Sequence, residues 1–280
     1  MKKVIIFGSS GRLGFYLSKN LKLFFKIYPI GKVKNSYVVN MEKKNEIFSA
    51  IQKINPDAIV NCVAATNVDK CTRNYAYAFK GNVLAAKNIV WAIKKLNKKI
   101  HLIHFSTDQI YNNKLLNKNS ENKVKTTNNY SKTKYLAEKK IKEIFNHTII
   151  RTNFFGKLTP NHLSFSDFII KYLRNNIKIK LASNIIYSPI HIKLLNDYLR
   201  IIINKKFRGT YNIGSKDYIS KYDFALKVAK YKKLNKNLIS KHDSNFLLEE
   251  RPLNTFMNSK KFEIKIKKKI PSLQKMFKFL

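Results

Sequence analysis

Tyr130 and Lys134 stand four residues apart in Tyr130-Ser131-Lys132-Thr133-Lys134, which opens a segment of helical character running to about Phe145. On a helix that spacing puts both side chains on one face. A free tyrosine titrates near pH ~10 and is a poor proton donor or acceptor at neutrality, but a neighbouring ammonium stabilises the phenolate and lowers that value. The pair therefore makes a tunable acid/base. With 15 Tyr and 56 Lys plus Arg in 280 residues, such a spacing also arises by chance. Its place in the chain carries more weight: it follows an apolar strand, His101 to Phe105, and the junction Ser106-Thr107-Asp108, in a chain that opens with a phosphate-binding pattern.

That pattern is residues 1–14, MKKVIIFGSSGRLG. Val4 to Phe7 is an unbroken apolar run of strand length, Gly8, Gly11 and Gly14 follow at intervals of three, and Phe15 to Leu23 has helical character. Strand, glycine-rich turn and helix in that order let the backbone approach a pyrophosphate and aim helix N–H groups at it. A second strand is expected over Lys26 to Ile30, where a dinucleotide with a free ribose 2′-hydroxyl would meet an Asp or Glu. None stands there. Lys32 and Lys34 do, and cations suit a 2′-phosphate, so the reading favours NADPH with NADH as the second candidate.

The remaining elements would carry these groups. Ala58 to Ala65 reads as a buried strand emptying into small residues, against which a flat ligand can lie. A long helix is expected from about Tyr75 to Lys95, with Asn82 as a polar residue within it. His101 and His104 are three apart in a strand, hence on opposite faces, and no metal site is expected. Asn112 to Asn129 lacks periodicity and reads as a long surface loop. Strands expected at Thr148 to Thr152 and Gly209 to Ile213 alternate with helices near Ser166 to Arg174, Leu194 to Asn204 and Ser220 to Tyr231. Alternation over the first 150 residues or so predicts an α/β fold, a doubly wound parallel sheet with helices on both faces.

The formal charge of +40 suggests a nucleic-acid binder at first sight. Seven of the 56 basic residues are Arg, however, and the lysines are spread along the whole chain with abundant Asn, Ile, Phe and Tyr. Base-edge and phosphate readers lean on Arg, so no specific nucleic-acid partner is expected. Cys62 and Cys71 form neither a CxxC pair nor a disulfide framework, which fits a reducing compartment. No apolar run reaches the ~20 residues of a membrane span, and the expected location is the cytoplasm.

Together these segments resemble the dTDP-4-dehydrorhamnose reductase family of extended short-chain dehydrogenase/reductases. GSSGRLG at 8–14 is similar to its cofactor turn GxxGxLG, and PDAIVNCVAATNVDKC at 56–71 to its PDxVxNxAAxTxVDxx segment. The helix around Asn82, Ser106-Thr107-Asp108, YSKTK at 130–134 and IIRTNFFG at 149–156 match further landmarks, as do Ser188-Pro189, YNIGSKDYISKYDFA at 211–225 and ERPLNTFMNSKKF at 250–262. The resemblance implies a Rossmann-like domain over 1–152, joined by roughly 185–215, and a smaller C-terminal substrate-binding domain from 153–184 and 216–280. It implies catalysis by Thr107, Tyr130 and Lys134: Tyr130 donating a proton to a sugar ketone, Lys134 binding ribose hydroxyls and lowering the tyrosine pKa, and Thr107 orienting the carbonyl. Gly8, Ser10, Gly11, Arg12, Leu13, Gly14, Lys32, Ala64, Ala65, Thr66 and Asn82 would contact cofactor with Tyr130 and Lys134. Thr107, Asp108, Asn153 and Arg251 would contact a nucleotide-sugar substrate. A homodimer is the assembly to be tested.

Gln109 stands where the family commonly has an aromatic residue and where related dehydratases carry a glutamate; an amide cannot take a proton as a carboxylate does, which disfavours dehydration. Lys193 and Leu194 replace the acidic pair usual after Pro189, leaving the substrate open. The function expected is reduction of a nucleotide-linked 4-keto-6-deoxy sugar in surface polysaccharide synthesis. The alternatives are another nucleotide-sugar epimerase or ketoreductase, and a non-catalytic NADP-binding regulatory subunit.

Overall fold

The computed structural model describes residues 1–31, 37–113, 118–157, 163–243 and 250–280. The chain forms two compact units. The first comprises Met1–Ser106, Asn128–Ile150 and Asn196–Thr210, the second Thr107–Thr127, Arg151–Leu195 and Tyr211–Leu280. Segment 107–127, expected from the sequence in the dinucleotide half, thus lies in the second unit, as do 185–195 and 211–215 of the expected connection.

The first unit is built on strands β1 (Lys3–Phe7), β2 (Lys26–Gly31), β3 (Tyr37–Val38), β4 (Ala58–Asn61), β5 (His101–Phe105) and β6 (His147–Thr152). With the strand Gly209–Ile213 they make a seven-stranded sheet, ordered Gly209–Ile213, β6, β5, β4, β1, β2, β3. The ladders from β6 through β3 are all parallel. Val4, Ile5, Ile6 and Phe7 are each fully buried, as the unbroken apolar run requires of a strand covered on both faces. Helix α1 (Arg12–Leu21) buries Leu13, Leu17 and Leu21, each four residues from the next. Helix α2 (Lys44–Ile54) contributes Ile47, Ile51 and Ile54 to the core that also holds Ile5, Phe7 and Ile59. Each such isoleucine stabilises the fold by about 2 kcal/mol on burial. The strand order reverses between β1 and β4, and in sheets of this kind ligands bind beyond the carboxyl ends of the strands at that point.

The expected single helix from Tyr75 to Lys95 is interrupted. After α3 (Val68–Arg73) come α4 (Tyr75–Phe79), a π-helical turn Lys80–Leu84, and α5 (Ala85–Leu96). A helical period in the apolar residues carries no mark of one inserted residue, so the sequence pattern hides the bulge. Helix α6 (Asn129–Ile141) starts at a reciprocal cap, Asn128 Oδ1 accepting from Ser131 N at 2.9 Å and Ser131 Oγ from Asn128 N at 3.2 Å.

The second unit has three two-stranded pieces and a core of aromatic rings packed edge-on and tilted. Phe155, Phe224 and Phe277 lie 5.2 to 5.7 Å apart, ring centre to ring centre. Helices Phe165–Arg174 and Lys221–Tyr231 are capped by Ser164 and Ser220, each accepting from an aspartate amide three residues on. The described part of the expected surface loop 112–129 is anchored: Asn119 is buried, pairing its backbone N–H with Phe256 O at 2.7 Å and accepting from Asn258 N at 2.9 Å. Buried Arg151 donates to Glu121 O at 2.7 Å and Tyr111 Oη at 2.8 Å. Cations and amides from distant sequence positions hold a segment whose own composition reads as loop. The tail also gains order, with helices Lys260–Ile266 and Leu273–Phe277. No helix among the described residues is long and apolar enough to cross a membrane.

Candidate active site

The turn between β1 and α1 is shaped by backbone alone. Gly8 has φ +80°, and a Cβ there would lie 2.9 Å from Val63 N. A Cβ on Gly14 would meet Gly8 O at 2.2 Å, so the helix packs on the turn more closely than any side chain permits. Gly8 N and Ser9 N both donate to Ile30 O, at 2.9 and 3.0 Å. The N-cap of α1 is Gly11, which has no side chain to satisfy the first-turn amides. These N–H groups, at the positive end of the helix dipole, suit a diphosphate.

Beside this turn lies a cleft of 690 Å³ whose lining includes Gly8, Ser10, Gly11, Gly31, Ala64 and Ala65. Two buried asparagines hold its floor. Asn61 Oδ1 accepts from Val63 N at 3.0 Å, which turns its amide nitrogen to His104 Nδ1 at 3.1 Å. Asn82, in the π-helical turn, accepts from Ala65 N at 2.9 Å and donates to Thr133 Oγ1 on α6 at 2.9 Å. The sequence marked Asn82 as a polar helix residue; the structure makes it a tie between the segment that follows β4, the bulge and α6. Such bulges recur at functional sites. Asn61 was not singled out, and His104 was named only beside His101 as a pair on opposite strand faces; no local spacing links residues on neighbouring strands.

Among the described residues, Arg12, Leu13 and Thr66 do not line the cleft. Arg12 and Thr66 are exposed, Leu13 is buried under α1, and Lys32 and Lys34 lie outside the described residues.

Tyr130 and Lys134 are both buried, in the first two turns of α6. Tyr130 belongs to a small buried cluster with Ala65, Cys71 and Ala78, and Ala65 lines the cleft. Lys134 Nζ donates to Phe105 O, at the end of β5, at 2.7 Å. Burial lowers its pKa to about 8, against the opposing pull of Glu138 and Cys62. Glu138, one turn further along, accepts from Ser106 Oγ at 2.5 Å. An ammonium offers three N–H groups, and one is used on Phe105.

In the second unit Thr107 caps the short turn Asp108–Ile110, its hydroxyl accepting from Gln109 N at 3.2 Å. Asp108 is buried and accepts from Thr107 Oγ1 at 3.3 Å, Asn153 Nδ2 at 3.1 Å and Thr255 Oγ1 at 2.9 Å. Burial raises its pKa, opposed first by Lys221 and then by these hydrogen bonds. Asp108, Asn153 and Arg251, expected on the substrate side, line one cavity of 260 Å³. Thr107 adjoins it in sequence but does not line it. Tyr187, Lys221 and Thr255 share the lining and were not anticipated, since no motif connects them to Asp108. Among the described residues no cluster of His, Cys, Asp or Glu could hold a metal ion.

A known family, described as the RmlD substrate binding domain, matches residues 1–279. The chain belongs to this family. That places it among the extended short-chain dehydrogenase/reductases, a class of NAD(P)-dependent oxidoreductases. Within and beside the family, the chain is 25% identical to the spore coat polysaccharide biosynthesis protein SpsK of Bacillus subtilis, covering 86% of this chain and 83% of that one. It is 23% identical to the dTDP-4-dehydrorhamnose reductase of Escherichia coli K12, over 79% and 75% of the two chains. Among solved structures, the dTDP-4-dehydrorhamnose reductase of Bacillus anthracis, in complex with NADP, superposes with a TM-score of 0.90 at 24% identity, covering 99% and 97%. That of Yersinia enterocolitica gives 0.86 at 26%, covering 100% and 98%.

Proposed function

We propose that the protein is an NADPH-dependent reductase of a nucleotide-linked 4-keto-6-deoxy sugar, of the dTDP-4-dehydrorhamnose reductase kind. The observation that carries this reading is the pair on α6: Tyr130 buried in one cluster with Ala65 of the cleft, and Lys134 buried one turn on and held by Phe105 O at 2.7 Å. The cleft fits a dinucleotide, because Gly8 leaves room at the turn that a Cβ would fill and the N-terminus of α1 is free of side-chain caps. Gly8, Ser10, Gly11, Gly14, Ala64 and Ala65 would hold it, and Asn82 would keep the Ala65 amide in place. When bound, the nicotinamide supplies hydride.

The chain's own residues supply the rest. Tyr130 donates its phenolic proton to the ketone oxygen as negative charge develops there, which is general-acid catalysis. Lys134 remains an ammonium below pH 8, lowers the tyrosine pKa by its charge and offers its spare N–H groups to ribose hydroxyls. Thr107 orients the carbonyl. Asp108, Asn153 and Arg251 bind the sugar nucleotide, so that the first unit serves the cofactor and the second the substrate. We place the enzyme in the cytoplasm, in synthesis of a surface polysaccharide, without a nucleic-acid or membrane partner and with a homodimer as the assembly to be tested.

NADPH oxidation against a panel of nucleotide 4-keto sugars tests this, with Tyr130→Phe as control and NADH beside NADPH. Turnover of a dTDP-linked ketone that collapses in the variant while cofactor affinity holds supports the reading. Cofactor binding with no ketone reduced, together with a co-purifying protein, would instead support a regulatory subunit. Interconversion of sugars without net oxidation of cofactor would support an epimerase.

A further inference from the structure

Lys221 lines the second unit's cavity, and the function proposed above leaves it unused. Its position is costly in three ways. It is the first residue of the helix Lys221–Tyr231, where the macrodipole repels a cation. Burial lowers its pKa to about 8, in spite of attraction to Asp108. And its ammonium makes no hydrogen bond to Asp108, whose carboxylate is engaged by Thr107, Asn153 and Thr255.

What holds the ammonium is aromatic. Nζ sits 3.4 Å from the centre of the Tyr187 ring and 5.0 Å from that of Phe165. This fixes a charged group at the cavity wall with N–H donors unspent. The hydroxyl of Tyr187, a residue only 2% exposed, is likewise without a partner among the described residues. Two unpaired polar groups side by side in a cavity form an incomplete hydrogen-bond set, which a ligand oxygen would complete.

We propose that Lys221 is a positioning and specificity-determining residue for the sugar: its ammonium donates to a hydroxyl oxygen on the sugar of the bound nucleotide sugar. The proposal rests on the reductase reading. It follows that sugars bearing an apolar substituent at the contacted position are rejected, because they would leave a desolvated charge unpaired.

Calorimetric titration of wild type, Lys221→Met and Lys221→Arg with dTDP and with dTDP-rhamnose tests it. In Lys221→Met, affinity for dTDP-rhamnose should fall roughly ten- to hundred-fold, as for a hydrogen bond from a charged donor, while dTDP is unaffected. Lys221→Arg should recover part of the loss. Wild-type affinity for dTDP-rhamnose should also weaken above about pH 8, and Lys221→Met should lack that step, which separates Lys221 from the cavity's Asp108, Tyr187, Lys180, His242 and Arg251. Equal losses for both ligands would assign Lys221 to the diphosphate and overturn the proposal, as would unchanged affinities. Failure of wild type to bind either ligand would instead remove the reductase reading, and this proposal with it.

Discussion

The two cavities are made by opposite means. The first unit's cleft is walled by glycines, alanines and main chain, with asparagine side chains behind the wall holding its amides. The second unit's cavity is walled by side chains of opposite charge, Asp108 against Lys221 and Arg251, with aromatic rings between. A surface of backbone suits a ligand whose shape and phosphates do not vary, and it changes only when a Cβ intrudes. A surface of side chains can be retuned one residue at a time. The first should be intolerant of small changes in volume, and the second sensitive to changes in charge.

The largest effect is expected at Tyr130. Tyr130→Phe should lower kcat by about 10²- to 10⁴-fold with cofactor affinity intact, as stopped-flow and fluorescence titration would show; an active variant would detach the chemistry from α6. Gly8→Ala comes next. It forces an alanine to φ +80° and a Cβ to 2.9 Å from Val63 N, so it should destabilise the first unit by about 1–3 kcal/mol or more and abolish dinucleotide binding. Normal binding in that variant would mean the wall is not backbone-tight. Asn82→Ala should cost about 1–3 kcal/mol in urea denaturation by leaving the Ala65 amide without its acceptor, and weaken cofactor more than substrate.

Acid should act on both units. Burial lowers His101 and His191 to about pH 4 and also holds His104 well below the ordinary value of 6.5. The unfolded chain binds these protons first, so stability should be full above pH ~6.5 and fall steadily as pH drops toward 4. A flat urea midpoint between pH 7 and 5 would contradict their burial. The smallest effect lies on the alkaline side. Lys134 and Lys221 are both lowered to about 8, so between pH 8 and ~10.5 the unfolded chain holds more protons and stability should rise slightly. Over the same range kcat/KM should decline as Lys134 loses the charge that supports Tyr130. A rate that keeps rising past pH 9 would separate Lys134 from the chemistry.

Much of this was legible from local spacing. Gly8 and Gly14 announce a turn because a Cβ there would run into backbone, and Tyr130 with Lys134 share a face because a helix returns every 3.6 residues. Asn61 with His104, and Lys221 with Tyr187 and Asp108, were not legible: each pair joins residues separated by dozens of positions. The five-residue π turn at Lys80–Leu84 was equally hidden, since its apolar residues still look helical.

From its sequence alone the chain specifies a parallel, doubly wound sheet, a phosphate-binding turn at its first crossover and a tyrosine–lysine pair on a later helix. Each follows from steric and periodic rules that act over a few neighbouring residues. Tertiary structure alone decided that Asn82 would hold the Ala65 amide, that the residues after Thr107 would be pinned by Arg151 and Asn119, and that a lysine at a helix start would face an aromatic ring with its donors unspent. Those outcomes depend on which distant groups burial forces to share hydrogen bonds and charge, and burial is a property of the whole packed chain.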